Sequence, residues 1–168
     1  LIDIGFFALE NHGVDSKLIT NAYATCKEFF MLDDKTKLKY ESVGLKGQRG
    51  FTSFGKEHAK NNPTPDLKEF WHVGREITHD EKPEGFIENI WPTEVSQFEP
   101  TFKALFSQLD SCSQDLLKAC ASFLEQPETR FSSIASNGNT ILRIIHYPPI
   151  PDGVPQGAVR AAAHEDIN

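Results

Sequence analysis

Thr140-Ile141-Leu142-Arg143-Ile144-Ile145-His146-Tyr147-Pro148-Pro149, followed after a Gly- and Pro-containing loop by Ala161-Ala162-Ala163-His164-Glu165-Asp166, is the stretch on which the fold of this 168-residue chain turns. The β-branched run reads as a strand covered on both faces, and Pro148, Pro149 and Pro151 end it. Val159 to Asn168 reads as a final extended piece. Working backwards, Asn137-Gly138 makes a tight turn and Gln126-Pro127 opens a short helix. Before that, Pro100 stands at the first position of a long helix, whose apolar stripe from Phe102 through Leu109 and Leu116 to Leu124 runs for about six turns. From Glu41 to Pro92 the periodicity disappears, and glycines and prolines punctuate a polar loop with two islands, Arg49-Gly50-Phe51-Thr52 and the strand-like Phe70-Trp71-His72-Val73. A loop this long reads as a cover over a site or as a mobile segment. Further back, Asp33 caps a short turn through Lys39, and Asp15 or Ser16 caps a helix with Leu18, Ile19, Ala22, Tyr23, Cys26, Phe29 and Phe30 on one face. Phe6-Phe7-Ala8-Leu9 reads as a buried strand entering the turn Asn11-His12-Gly13.

With 39% hydrophobic and 24% charged residues the chain falls in the globular class, not the disordered one. Seventeen basic residues against 24 acidic ones give a net charge of −7, with no basic stripe for a phosphate backbone, which argues against a nucleic-acid partner. The longest apolar runs, such as Ile4 to Leu9, are far short of the roughly 20 residues of a membrane span, which argues against a membrane partner. Cys26, Cys112 and Cys120 fall among apolar residues at helical spacing and read as buried free thiols in a reducing, cytoplasmic compartment. Leu1 is no initiator, and no helix stop precedes Asn168, so the chain reads as an internal piece of a longer protein.

The sharpest chemical feature is His164-Glu165-Asp166. In an extended segment, side chains two apart point to the same side, so His164 and Asp166 could offer an imidazole nitrogen and a carboxylate oxygen to one metal. Two histidines and a carboxylate on one face of an octahedron leave three positions open, which suits a non-haem Fe(II) centre that takes a cosubstrate and O2. Spacing alone is weak: with six histidines and 24 acids, a His-x-acid triplet arises by chance in about half of such chains. His79-Asp80-Glu81, in a charged loop, is one that reads as solvated surface.

Five blocks in order raise the specificity. They are Gly5-Phe6-Phe7-Ala8-Leu9-Glu10-Asn11-His12-Gly13-Val14, Asp66-Leu67-Lys68-Glu69-Phe70-Trp71-His72-Val73-Gly74, Asn89-Ile90-Trp91-Pro92, Leu142-Arg143-Ile144-Ile145-His146-Tyr147-Pro148-Pro149 and Ala163-His164-Glu165-Asp166. Together they resemble the successive motifs of the isopenicillin N synthase-like 2-oxoglutarate and Fe(II)-dependent oxygenases, and they span essentially the whole chain. The resemblance implies an α+β fold: a helical N-terminal region, 1–135, packed on a double-stranded β-helix or jelly roll whose first strands are 136–168. It implies His164 and Asp166 as iron ligands and Tyr147 as a contact to the 2-oxoglutarate carboxylate. For Tyr147 a core aromatic at a strand end is the competing reading. Plant members commonly carry Asn two residues before that tyrosine, where Ile145 stands here. Arg49-Gly50-Phe51 resembles a segment near the family's substrate pocket, although a surface turn explains it equally well. His12 reads as a satisfied buried turn histidine, and His58, His72 and His146 as non-ligands.

The implied activity is that of a dioxygenase that hydroxylates or oxidises a small organic molecule with O2 while 2-oxoglutarate becomes succinate and CO2. The family's second histidine ligand and an Arg-x-Ser pair for the far carboxylate fall beyond Asn168, and no Arg-x-Ser occurs earlier. The 168 residues alone are therefore expected to fold poorly and to be inactive. Two other readings compete: a helical interaction module that uses the Phe102 to Leu124 stripe, and a zinc hydrolase, for which the pair lacks a third nitrogen or sulfur ligand.

Overall fold

The computed structural model describes residues 5–58, 64–77, 82, 85–136 and 138–163. Two helices come first, α1 (Ser16–Phe30) and α2 (Asp34–Leu38), then a short 3-10 turn at Val43–Leu45 and two strands, β1 (Gly50–Thr52) and β2 (Glu69–Gly74). The long helix α3 (Phe98–Phe123), a short α4 (Arg130–Ala135) and the strand β3 (Ile141–His146) complete the order. Asp15 caps α1 by accepting from Lys17 N at 2.8 Å, and Asp33 caps α2 by accepting from Thr36 N at 3.1 Å. Each thus satisfies an amide that the first helical turn leaves without a partner.

The strands form one antiparallel sheet in the order β1-β2-β3, with Phe51 opposite Trp71 and Trp71 opposite Ile144. The sheet therefore spans the boundary expected at 135/136. Alternation along β2 sends Trp71 and Val73 toward the helices and Phe70 and His72 to the other face. On the helix side, Phe29 of α1 is the hub of the core, with edge contacts to Trp71 at 4.8 Å, Phe98 at 5.4 Å and Phe51 at 5.8 Å between ring centroids. Such perpendicular pairs place the positive ring edge on a negative face, adding to the area buried. Gly50 turns into β1 at φ +74°, and a Cβ there would sit 2.5 Å from Tyr40 O.

Several expectations are corrected. The segment Phe6 to Leu9 is neither strand nor buried, Phe6 being 82% exposed. None of the three described strands pairs with it, and an apolar run becomes a buried strand only where a sheet edge receives it. α3 starts at Phe98, two residues before Pro100, because Pro100 stays within the first turn, where its missing N–H is not needed. The α3 stripe is not one continuous buried face: Phe98, Phe102 and Phe106 are core, whereas Phe123 is 72% exposed. Its N-terminal half is therefore occupied within the fold and is not free as a partner-binding face. β3 is not covered on both faces but lies at the sheet edge with every residue at least partly exposed.

The cysteines are free, but Cys26 and Cys112 are half-buried and Cys120 is exposed. Arg49-Gly50-Phe51 is no surface turn: Arg49 and Phe51 are buried, and the Arg49 guanidinium packs over Gly74, where a Cβ would collide with it. The 41–92 loop contains the buried centre of the sheet, β2, so that part of it is core and not cover. Residues 159–163 form no strand. Asn137, His79 to Glu81, and the motif residues His164, Glu165 and Asp166 lie outside the described residues.

Candidate active site

The sheet face away from the helices carries Phe70 and His72 from β2 and, opposite them in register, Ile145 and Arg143 from β3. Tyr147 stands one residue past the end of β3. Its side is 41% exposed, and among the described residues its hydroxyl has no hydrogen-bond partner. A phenolic O–H can donate to a carboxylate, so Tyr147 fits a 2-oxoglutarate carboxylate by its chemistry and placement. Ile145 is aliphatic and offers no second donor there.

His72 shows how this face handles charge. Arg143 Nε, which can only donate, lies 2.6 Å from His72 Nε2, so Nε2 accepts and the ring proton sits on Nδ1, which donates to Gly47 O at 2.5 Å. Burial pushes the imidazole pKa down to about 4; the Gly47 carbonyl opposes this, and the neighbouring Arg143 charge reinforces it. Both ring nitrogens are engaged, which leaves none for a metal. Arg143 stacks 4.5 Å over the Phe70 ring and gives both terminal nitrogens to Glu57, each at 3.0 Å. Burial raises the Glu57 carboxyl, but Lys68 and Arg143 outweigh it and hold the group below the ordinary carboxylate value. Glu57, Phe70, His72 and Arg143 line a cavity of about 530 Å³.

The remaining histidines serve structure. His146 alternates to the helix face, where its Nδ1 pairs with Glu69 at 2.8 Å and its ring stacks 4.9 Å from Phe30. Lys37 closes that buried group by binding both Glu69 oxygens, at 2.9 and 3.2 Å. His12 accepts from Val14 N at 3.1 Å and so is satisfied, yet it is exposed and not buried as expected. His58 is exposed. A larger groove of about 910 Å³ lies on the helix side, lined by Ala22, Phe30, Phe102, Leu105, Leu142 and Ile144. Its lining also includes Ile145 and His146, which directly precede Tyr147, so it reaches the end of β3.

Among the described residues, no group of three or more His, Cys, Asp and Glu side chains could hold a metal ion. What the sequence did not reveal is a chain of charges that ends at Ala162, two residues before His164 in the sequence. Asp66 accepts from Ala162 N at 2.9 Å and pairs with Lys68 at 2.8 Å, and Lys68 reaches Glu57 at 2.7 Å. Beside it, Leu67 N donates to Val159 O at 2.9 Å. The only sequence signal was the alternation of charge and hydrophobe in Asp66-Leu67-Lys68-Glu69.

The family model for the non-haem dioxygenase N-terminal region, described from morphine synthesis, matches residues 1–94, more than half of the 168. The chain belongs to this family. It is similar to the 2-oxoglutarate-dependent dioxygenase caaD of Aspergillus niger, at 28% identity over 88% of this chain and 46% of that one. A Neurospora crassa protein crystallised with alpha-KG superposes with a TM-score of 0.76 at 27% identity, over 94% of this chain and 50% of that one. A Caulobacter crescentus protein assigned to the 2OG-Fe(II) oxygenase family gives a TM-score of 0.72 at 36% identity, over 83% and 46%. The chain spans about half the length of the curated relatives it matches.

Proposed function

We propose that this chain contributes the N-terminal region and the first two iron ligands of an Fe(II)- and 2-oxoglutarate-dependent oxygenase that hydroxylates or oxidises a small organic molecule with O2. The observation that carries this reading is the position of Tyr147. Tyr147 is exposed directly after the last residue of β3, and the segment leading to His164 is tied to the start of β2 by the Leu67–Val159 and Asp66–Ala162 hydrogen bonds. The relatives named as 2-oxoglutarate-dependent dioxygenases support it.

In this reading His164 and Asp166 hold the iron, with a histidine from beyond Asn168. Tyr147 donates its phenolic proton in a hydrogen bond to a carboxylate oxygen of 2-oxoglutarate and orients the cosubstrate. When bound, Fe(II) would activate O2, the oxidant, with two electrons supplied by oxidative decarboxylation of 2-oxoglutarate to succinate and CO2 and two by the substrate. Phe70 and Ile145 make the wall apolar and limit water near the reacting centre. Arg143 is neutralised by Glu57, and His72 stays uncharged, so neither presents a bare charge to an apolar substrate.

The test uses the full-length protein: Fe(II)-dependent release of succinate from 2-oxoglutarate, with Asp166→Ala abolishing it. Unchanged succinate release in that variant would overturn the assignment.

A further inference from the structure

We propose that Asp66 is a positioning residue for the iron site, which it serves by clamping the segment that leads into His164-Glu165-Asp166; this rests on the reading of that motif as a metal pair. Asp66 is only 4% exposed and lies outside any regular element, three residues before β2. Its two oxygens have different tasks. Oδ1 accepts from Ala162 N at 2.9 Å, and Oδ2 takes the Lys68 ammonium at 2.8 Å. Ala162 stands two residues before His164 in the sequence.

The carboxylate is itself held in place. Its own backbone N donates to Glu57 O at 2.8 Å. Lys68, 7% exposed, bridges Asp66 to Glu57, and Glu57 takes both terminal nitrogens of Arg143 on β3. Burial lowers the Lys68 pKa, but the Asp66 and Glu57 carboxylates outweigh it and raise the group above its ordinary value, so the ammonium stays charged. One ionic chain thus runs from the segment before the motif to β3, four residues before Tyr147. It fixes the two site-bearing segments relative to one another, and the Leu67–Val159 hydrogen bond keeps the first of them beside the start of β2. Groups that orient metal ligands without touching the metal typically change its affinity by about 10–100-fold when removed.

The experiment compares the full-length protein with Asp66→Ala and Asp66→Asn, by two readouts. The first needs no metal: trypsin cleavage after Arg160, within the clamped segment, measured on apo protein under native conditions. Loss of a charge-assisted hydrogen bond is expected to speed cleavage in Asp66→Ala by about tenfold or more. The second is Fe(II) affinity by anaerobic equilibrium dialysis, expected to weaken about 10–100-fold in Asp66→Ala. Asp66→Asn keeps an oxygen for the Ala162 amide and is expected to recover most of both.

Circular dichroism melts confirm that each variant is folded. If Asp66→Ala does not fold, Ala162→Pro removes the donor instead and leaves the buried ion chain intact, and the same two changes are expected. Wild-type cleavage after Arg160 and wild-type iron affinity in a folded Asp66→Ala or Ala162→Pro protein would overturn the proposal. So would an Asp66→Asn protein as impaired as Asp66→Ala. If the wild-type protein itself binds no Fe(II), the metal reading falls, and the clamp stands or falls on the Arg160 cleavage alone.

Discussion

His72 makes acid stability the most exacting check on the site geometry. The imidazole has an ordinary pKa of 6.5 and is pushed down to about 4 in the fold, by burial first. A folded pKa below the unfolded one means that the unfolded state binds the proton more readily. The contribution is therefore fully present above pH 6.5 and is lost as pH falls toward 4. At about 1.36 kcal/mol per unit, the 2.5-unit difference corresponds to about 3 kcal/mol in full, of which about 2 kcal/mol is gone by pH 5. Protonation also has a specific structural consequence, because a proton on Nε2 would face the Arg143 Nε–H that now donates to it at 2.6 Å. His72→Gln, which cannot titrate, should flatten this part of the pH profile. The assay is urea unfolding of the full-length protein and of His72→Gln at pH 7, 6, 5 and 4. Acidic groups such as Glu41, whose pKa is lowered, also lose stability on acidification, but they do so in both proteins and cancel in the difference. The wild-type advantage over His72→Gln should shrink by about 3 kcal/mol between pH 7 and 4. A difference that stays constant with pH would refute the buried, neutral, Arg143-bonded His72.

Two further substitutions test the site and the frame. Tyr147→Phe removes only the hydroxyl and should raise the KM for 2-oxoglutarate about tenfold or more, the loss of one hydrogen bond to a charged group, with a smaller effect on kcat; cosubstrate titration of succinate release reads this. Gly50→Ala forces a Cβ to within 2.5 Å of Tyr40 O at φ +74°, and should destabilise the protein by more than about 1 kcal/mol in urea unfolding, with the same unfolding slope.

The parts legible in the sequence were those decided by neighbours in the chain. Asp15 and Asp33 cap α1 and α2 because a short carboxylate reaches an amide two or three residues on, whatever the rest of the fold does. The island Phe70–Val73 was legible as strand material for the same reason and forms β2, whereas Arg49–Thr52 read as a turn and is β1 only through its pairing with β2. The family blocks located the candidate ligands and Tyr147. The ionic chain was not legible, because Arg143 meets Glu57 across 86 residues and Ala162 meets Asp66 across 96. In sequence, charges at such separations look like a solvated surface. Arg49 misled for the same reason: a guanidinium in a Gly-rich stretch reads as exposed until the bare backbone of Gly74 makes room for it.

β3 shows the limit of such reading most clearly. Ile141, Leu142, Ile144 and Ile145 specify a strand that suits cover on both sides, yet Ile145 is 41% exposed and the β3 edge is unpaired among the described strands. The residue pattern did determine the strand and its register, since a one-residue slip would exchange Ile144, packed on the core, with Ile145 on the open face. Burial is different in kind, because it belongs to whatever lies against the strand. The same alternation that leaves Ile145 uncovered puts Arg143 on its side of the sheet, while the helix face buries a polar group of its own, Glu69 between Lys37 and His146. A purely structural sheet would place its polar groups toward solvent and its apolar ones toward the core. Here an isoleucine and a phenylalanine share the open face with a neutralised arginine and an uncharged histidine. That mixture is what the proposed pocket wall for an organic substrate beside a carboxylate cosubstrate would need.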